Sequence, residues 1–148
     1  MKTHILRRLA GQRGQALLET AMTLPLVLVV SVGIFEFGRA YQTWQILTNA
    51  AREGARTAIL PGSTLTNVQD RVRQYLTAGA IQDPSLAAIA LTNGTVPMGS
   101  GTSPSSVVTV TYPYTFAVLQ PVVNLLVSGS TVGTPVTLTS RAEMRNEM

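Results

Sequence analysis

The chain has 148 residues, 45% of them hydrophobic and 12% charged, and no cysteine. Typical soluble domains carry about twice that share of charge, so disorder is excluded and a membrane segment or a buried assembly surface is favoured. The missing cysteines exclude disulfide scaffolds, thiolate metal sites and cysteine nucleophiles. The net charge of +4 is a local excess: Lys2, Arg7, Arg8 and Arg13 precede every acid, and the seven bases after Gln15 face seven acids. That distribution argues against a basic nucleic-acid surface on the body of the protein.

Residues 1–14 form a short basic leader ending in Gly14, and residues 15–35, from Gln15 to Phe35, hold a single charge, Glu19. As a helix this run spans ~31 Å, the hydrocarbon thickness of a bilayer. With Lys2, Arg7, Arg8 and Arg13 on one side only, the positive-inside rule keeps the N-terminus in the cytoplasm and places the rest outside. Pro25 removes a helical hydrogen bond and predicts a kink. Gly33 and Gly38 permit close helix approach.

The helix is predicted to continue from about Ala16 to Leu60, with residues 36–62 as an amphipathic extension stopped by Pro61-Gly62. Ile34, Phe37, Tyr41, Trp44, Leu47, Ala51, Ala55 and Ala58 recur at spacings of three or four and form its expected buried face. Residues 63–148 are expected to be an extracytoplasmic α+β domain. Its second helix should run from about Asn67 to Ala78, capped by Thr64 or Thr66 and ended by Gly79. From Pro84 to Ser140 there is no charge. Period-2 alternation predicts strands at Val108–Tyr112 and Val136–Glu143, with Ala87–Leu91 a weaker candidate. Asn93–Ser106, rich in Gly, Ser and Pro, reads as a loop. Phe116–Val127 reads as a strand followed by a short helix or loop. The fold class is therefore α+β: a long N-terminal helix, a short second helix and a small antiparallel sheet of three or four strands.

Catalytic chemistry finds no foothold. The single histidine is His4, in the leader. Metal and triad arrangements therefore lack their usual ligands and bases. Asp70 and Asp83 form no acid pair. No enzyme activity, metal or cofactor is expected. Glu19 is the residue that needs a reason, because a carboxylate inside a bilayer costs about 2.5–3.5 kcal/mol and usually has a partner. The plainer alternative is a wet Glu19 at the cytoplasmic interface. For Arg52, Glu53 and Arg56 two readings stay open. They are ordinary surface charges, or Gly54 lets the sheet press close while Arg52 or Arg56 pairs with an acid.

Arg13-Gly14, followed by Gln15-Ala16-Leu17-Leu18-Glu19, resembles the leader junction of type IV prepilins, with Glu at the fifth position after the cut. Leu24-Pro25, Glu36-Phe37-Gly38-Arg39 and Ala51-Arg52-Glu53-Gly54-Ala55-Arg56 extend the likeness to the TadE-like family of tight-adherence (Flp-type) pilus pseudopilins. The resemblance is dense from Gly14 to Arg56 and only architectural beyond. It implies cleavage between Gly14 and Gln15 by a prepilin peptidase, and a minor pilin acting in pilus assembly, initiation or adhesion. Its partners would be that peptidase, other pilins, the tight-adherence secretion machinery and the cytoplasmic membrane. It also implies that Glu19 pairs with the new N-terminus of a neighbouring subunit. Gln15 departs from the small residue usual there, and Thr20 from the aromatic that major pilins carry. The alternatives are a membrane-tethered binding or sensor domain that keeps its leader, and a secreted protein with an ordinary signal peptide.

Overall fold

The computed structural model describes residues 3–99 and 101–146, with side chains described from Gly14 onward. Lys2 and the side chains of Arg7, Arg8 and Arg13 lie outside the described residues. Helix α1 runs over Thr3–Ala58 and α2 over Leu65–Ala78. After a short 3-10 turn at Pro84–Leu86 come β1 (Ala88–Met98), β2 (Gly101–Tyr114), α3 (Leu119–Leu126) and β3 (Val136–Arg145). The three strands form one antiparallel sheet in the order β1-β2-β3. The architecture is α+β, as expected.

The chain divides into two compact units. The first joins Met1–Phe37 to Phe116–Thr134, and the second joins Gly38–Thr115 to Pro135–Met148. The connection between the central and third strands thus belongs to the unit that holds the apolar helix.

In the second unit the core forms where three elements meet. Leu47, Ala50, Ala51 and Ala55 of α1, Val68, Val72 and Leu76 of α2, and Val108 and Val110 of β2 are all fully buried. The α2 residues sit four apart, which puts them on one helical face. Thr64 Oγ1 accepts from the Asn67 amide and caps the helix, while the Gly79 amide donates to Tyr75 and Thr77 carbonyls at its end. Both caps satisfy backbone groups that a helix end leaves orphaned.

Four expectations need correction. First, α1 starts at Thr3 rather than near Ala16. Leader residues such as Leu6, Arg7, Arg8, Leu9 and Ala10 are good helix formers, so nothing stops the helix before Gly14. Second, only part of the expected face is buried. Leu47, Ala51 and Ala55 are fully buried as expected, whereas Ile34, Phe37, Tyr41 and Trp44 are exposed and Ala40 and Ala50 are buried instead. Close packing of α1 selects small residues and turns the large rings outward. Third, Asn93–Ser106 is a hairpin, not a loop. Its register runs unbroken from Asn93↔Ser106 to Met98↔Gly101, and Gly99 takes the positive φ of +55°. A tight hairpin turn requires that conformation. Pro97 lies on an edge strand, where a missing amide is tolerated.

Fourth, Phe116–Val127 contains no strand. β2 ends at Tyr114, and α3 begins at Leu119 with Pro121 in its first turn, where proline is accepted. The Ala117 amide donates to Glu36 Oε2 at 2.9 Å, so a side chain on α1 takes the hydrogen bond that a strand ladder would have used.

Candidate functional site

Among the described residues, the sequence-predicted site residues all lie on α1, and two stretches differ in character. From Gly14 to Leu24 every residue is exposed, and an 18-residue window reaches mean hydropathy 2.0 with none of it buried. The helix is long and apolar enough to cross a membrane. Its hydroxyls are satisfied within it: Thr20, Thr23 and Ser31 donate to the carbonyls of Ala16, Glu19 and Val27 at 2.8–3.0 Å. A helix in hydrocarbon needs that internal pairing. Pro25 sits inside the helix. It leaves the Ala21 carbonyl without its usual intrahelical donor.

Glu19 is exposed, and its carboxylate has no hydrogen bond or ion pair among the described residues. A Cβ built on Gly14, Gly33 or Gly38 meets nothing within 4 Å. Packing within the described chain therefore does not require glycine at these three positions. Gln15 is exposed beside Gly14, and the peptide between them lies within continuous helix.

The second stretch, Ala51 to Arg56, is built differently. Gly54 is the point of closest approach: a Cβ there would lie 2.6 Å from Val72 Cγ2, 3.2 Å from Val108 Cγ1 and 3.5 Å from Val68 Cγ1. A glycine is the only residue that lets α2 and β2 close on the helix at this distance. Of the two readings left open, the close approach of the sheet at Gly54 holds. Arg56 pairs with an acid, as that reading has it, and the acid is Glu53 of the same segment. Glu53 is the hub, with Arg71 Nη2 at 2.6 Å and Arg56 Nη1 at 3.7 Å. The Arg71 hydrogen bond holds the Glu53 carboxyl below its ordinary value against the opposing effect of burial, with lesser help from the Arg71 and Arg56 charges. Arg52 is exposed. The pair joins α1 to α2 one residue before the Gly54–Val72 contact on each helix, and Arg71 was not among the expected partners. Its spacing of 18 residues from Glu53 offers no local signal.

Glu36 is the residue whose importance exceeded its sequence signal. It is 3% exposed, the one buried acid among the described residues. Besides its bond to the Ala117 amide, the neighbouring Phe37 ring meets Phe116 edge-on at 5.6 Å. Glu36-Phe37 therefore fastens the start of the α3 segment to the end of the apolar run. Its place directly after an apolar run and at the head of the Glu36-Phe37-Gly38-Arg39 segment marked it, but nothing local pointed to Ala117.

Within the second unit, a shallow cleft of about 190 Å³ is lined by Arg39, Ile46, Gly79, Ile81 and Tyr112 among others. That is smaller than the ~300–1,000 Å³ of small-molecule sites. On β3, Glu143 Oε1 accepts from Ser105 Oγ at 2.6 Å and lies 3.4 Å from Arg141 through its other oxygen. Gly94 leaves room for it, since a Cβ there would come within 2.9 Å of Glu143 Oε1. These are structural contacts within the sheet.

Together these features define a class: a single apolar N-terminal helix of membrane-spanning length that carries a small α+β domain. Residues 14–56 match the family model described as TadE-like protein, the family whose motifs the sequence carries at those positions. The match covers the apolar run, the Glu36-Phe37-Gly38-Arg39 segment and the Gly54 contact. No curated protein and no solved structure matches the chain.

Proposed function

We propose that this chain is a minor pilin, or pseudopilin, of a tight-adherence pilus, anchored in the cytoplasmic membrane by residues 15–35. It acts in pilus assembly, initiation or adhesion and is not an enzyme. The N-terminus faces the cytoplasm, and the α+β domain lies outside. The carrying observation is Glu19: an exposed carboxylate in an exposed apolar helix, five residues after Gly14, within the stretch that matches the TadE-like family. An ionised side chain there is costly in lipid and is stabilised by a cation from another chain. Cleavage after Gly14 makes such a cation, the α-amino group of Gln15.

Processing follows from the same stretch. A peptidase needs an extended peptide in its cleft, and the Gly14–Gln15 bond lies in helix. Gly11 and Gly14 each lower helix stability by about 1 kcal/mol relative to alanine, so the helix opens there at least cost. Gly14 fills no packing role within the described chain, which suits a role in the peptidase cleft. The partners on this reading are the prepilin peptidase, sister pilins and the secretion machinery of the pilus.

Comparison of membrane extracts from normal and prepilin-peptidase-deficient cells tests this. A shorter protein in normal cells supports the pseudopilin. The same apparent mass in both would leave a tethered domain that keeps its leader.

A further inference from the structure

The segment from Phe116 to Val132 has no charged residue and lies in the same unit as the apolar helix. Its own helix, α3, is apolar on two sides. Leu119 and Val123 are buried, while Val118 and Leu125 point the other way at 45% and 86% exposure. Leu126, Val127 and Val132 continue the exposed apolar surface. Single exposed apolar residues need no explanation, but five of them in an uncharged segment of this length point to a contact surface.

The place of this surface identifies what covers it. Glu36, one residue past the apolar run, binds the Ala117 amide at 2.9 Å, and Phe37 packs on Phe116 at 5.6 Å. The segment is thus fastened where α1 would leave the bilayer. Around that point Ile34, Phe35 and Phe37 of α1 are themselves 62–76% exposed, so the end of the span and the segment fastened to it both leave apolar side chains bare. Aromatic residues are favoured at such membrane–water boundaries.

We infer that the Phe116–Val132 segment is a second membrane contact: α3 lies in the extracytoplasmic interface of the bilayer, held beside the exit of α1 by Glu36. This rests on the reading of residues 15–35 as a bilayer span. An amphipathic helix at that depth buries its apolar side about 5–10 Å into the boundary between headgroups and acyl chains. Leu125, Leu126 and Val127 would occupy that layer. Lipid fits the surface because the uncharged segment is tied by the Glu36 and Phe37 contacts to the end of the apolar helix. The Glu36 carboxylate meets the backbone amide it needs without water.

The chain has one tryptophan, Trp44, so fluorescence can place the segment. In a Trp44→Phe background, the variants Phe35→Trp, Leu125→Trp and Tyr75→Trp of the full chain are reconstituted one per nanodisc. The lipid is phosphatidylcholine with or without bromine on the acyl chains. The expected result is blue-shifted emission and comparable quenching by bromine at positions 35 and 125, with neither at position 75 on α2. Quenching at 35 without quenching at 125 would overturn the inference and leave the span intact. No quenching at either would overturn both. Blue-shifted emission at 125 that bromine does not quench would mean that protein covers the surface, which also overturns the inference.

Discussion

Gly54→Ala places one methyl group at the tightest contact of the second unit. The new Cβ would lie 2.6 Å from Val72 Cγ2 and 3.2 Å from Val108 Cγ1. Val72 and Val108 are fully buried, and a valine in a helix holds one χ1 rotamer, so Val72 on α2 has no open rotamer to take. The helix α2 must move instead. Overpacking of this kind costs about 1–3 kcal/mol. Alanine returns up to ~1 kcal/mol through helix propensity. The net expectation is a loss of about 1–2 kcal/mol. At roughly 4–8 °C per kcal/mol for a small domain, the midpoint should fall by ~5–15 °C. Thermal unfolding of the full chain in detergent, followed by circular dichroism, measures it. Gly38→Ala is the control, because a Cβ there meets nothing within 4 Å. It should leave the midpoint unchanged or raised. Val72→Ala destabilises by itself, but should cost less in the Gly54→Ala background, since the added methyl fills the space that the valine vacates. A Gly54→Ala protein as stable as the parent, or a double variant that is merely additive, would refute the close-approach argument.

Other consequences follow from single contacts. Arg71→Ala should cost about 0.5–1 kcal/mol at neutral pH and low salt, as a largely exposed pair allows, and less at high salt. Because the Glu53 carboxyl lies below its ordinary value of 4.5, its stabilisation is present above that value and is lost as pH falls through the lowered folded-state value. The gap between the parent and Arg71→Ala melting curves should therefore close in acid, and a gap independent of pH would count against the pair. Glu36→Leu leaves the Ala117 amide without its carboxylate acceptor, at about 1–3 kcal/mol. Hydrogen exchange at Ala117 should quicken while exchange in β2 stays slow. Glu19→Ala should insert in membranes at least as well as the parent, yet fail to co-purify with pili. Normal incorporation of that variant would remove the pairing role.

Some of this architecture was legible because local chemistry announces it. Thr64 and Gly79 bracket α2 as caps, and the alternation from Val136 to Glu143 marks β3 without ambiguity. The motifs from Gly14 to Arg56 also carried the family resemblance, and they lie in one continuous helix. Other features depend on contacts far apart in sequence. The β1–β2 hairpin has a loop-like composition because its distal end is exposed and needs no apolar alternation. The aromatic residues of α1 look like core by spacing. The core instead adds Ala50 and Gly54 to the expected Leu47, Ala51 and Ala55, because two elements must approach the helix closely. Phe116–Val127 resembles a strand until the Glu36 carboxylate, on a helix 81 residues earlier, takes the Ala117 amide.

The central claim concerns the first residue of the working protein. N-terminal sequencing or intact-mass analysis of the chain extracted from native membranes or sheared pili reads it directly. The account predicts Gln15, free or cyclised to pyroglutamate, and the loss of that species in Gly14→Leu. A protein that begins at Met1 in both would contradict it.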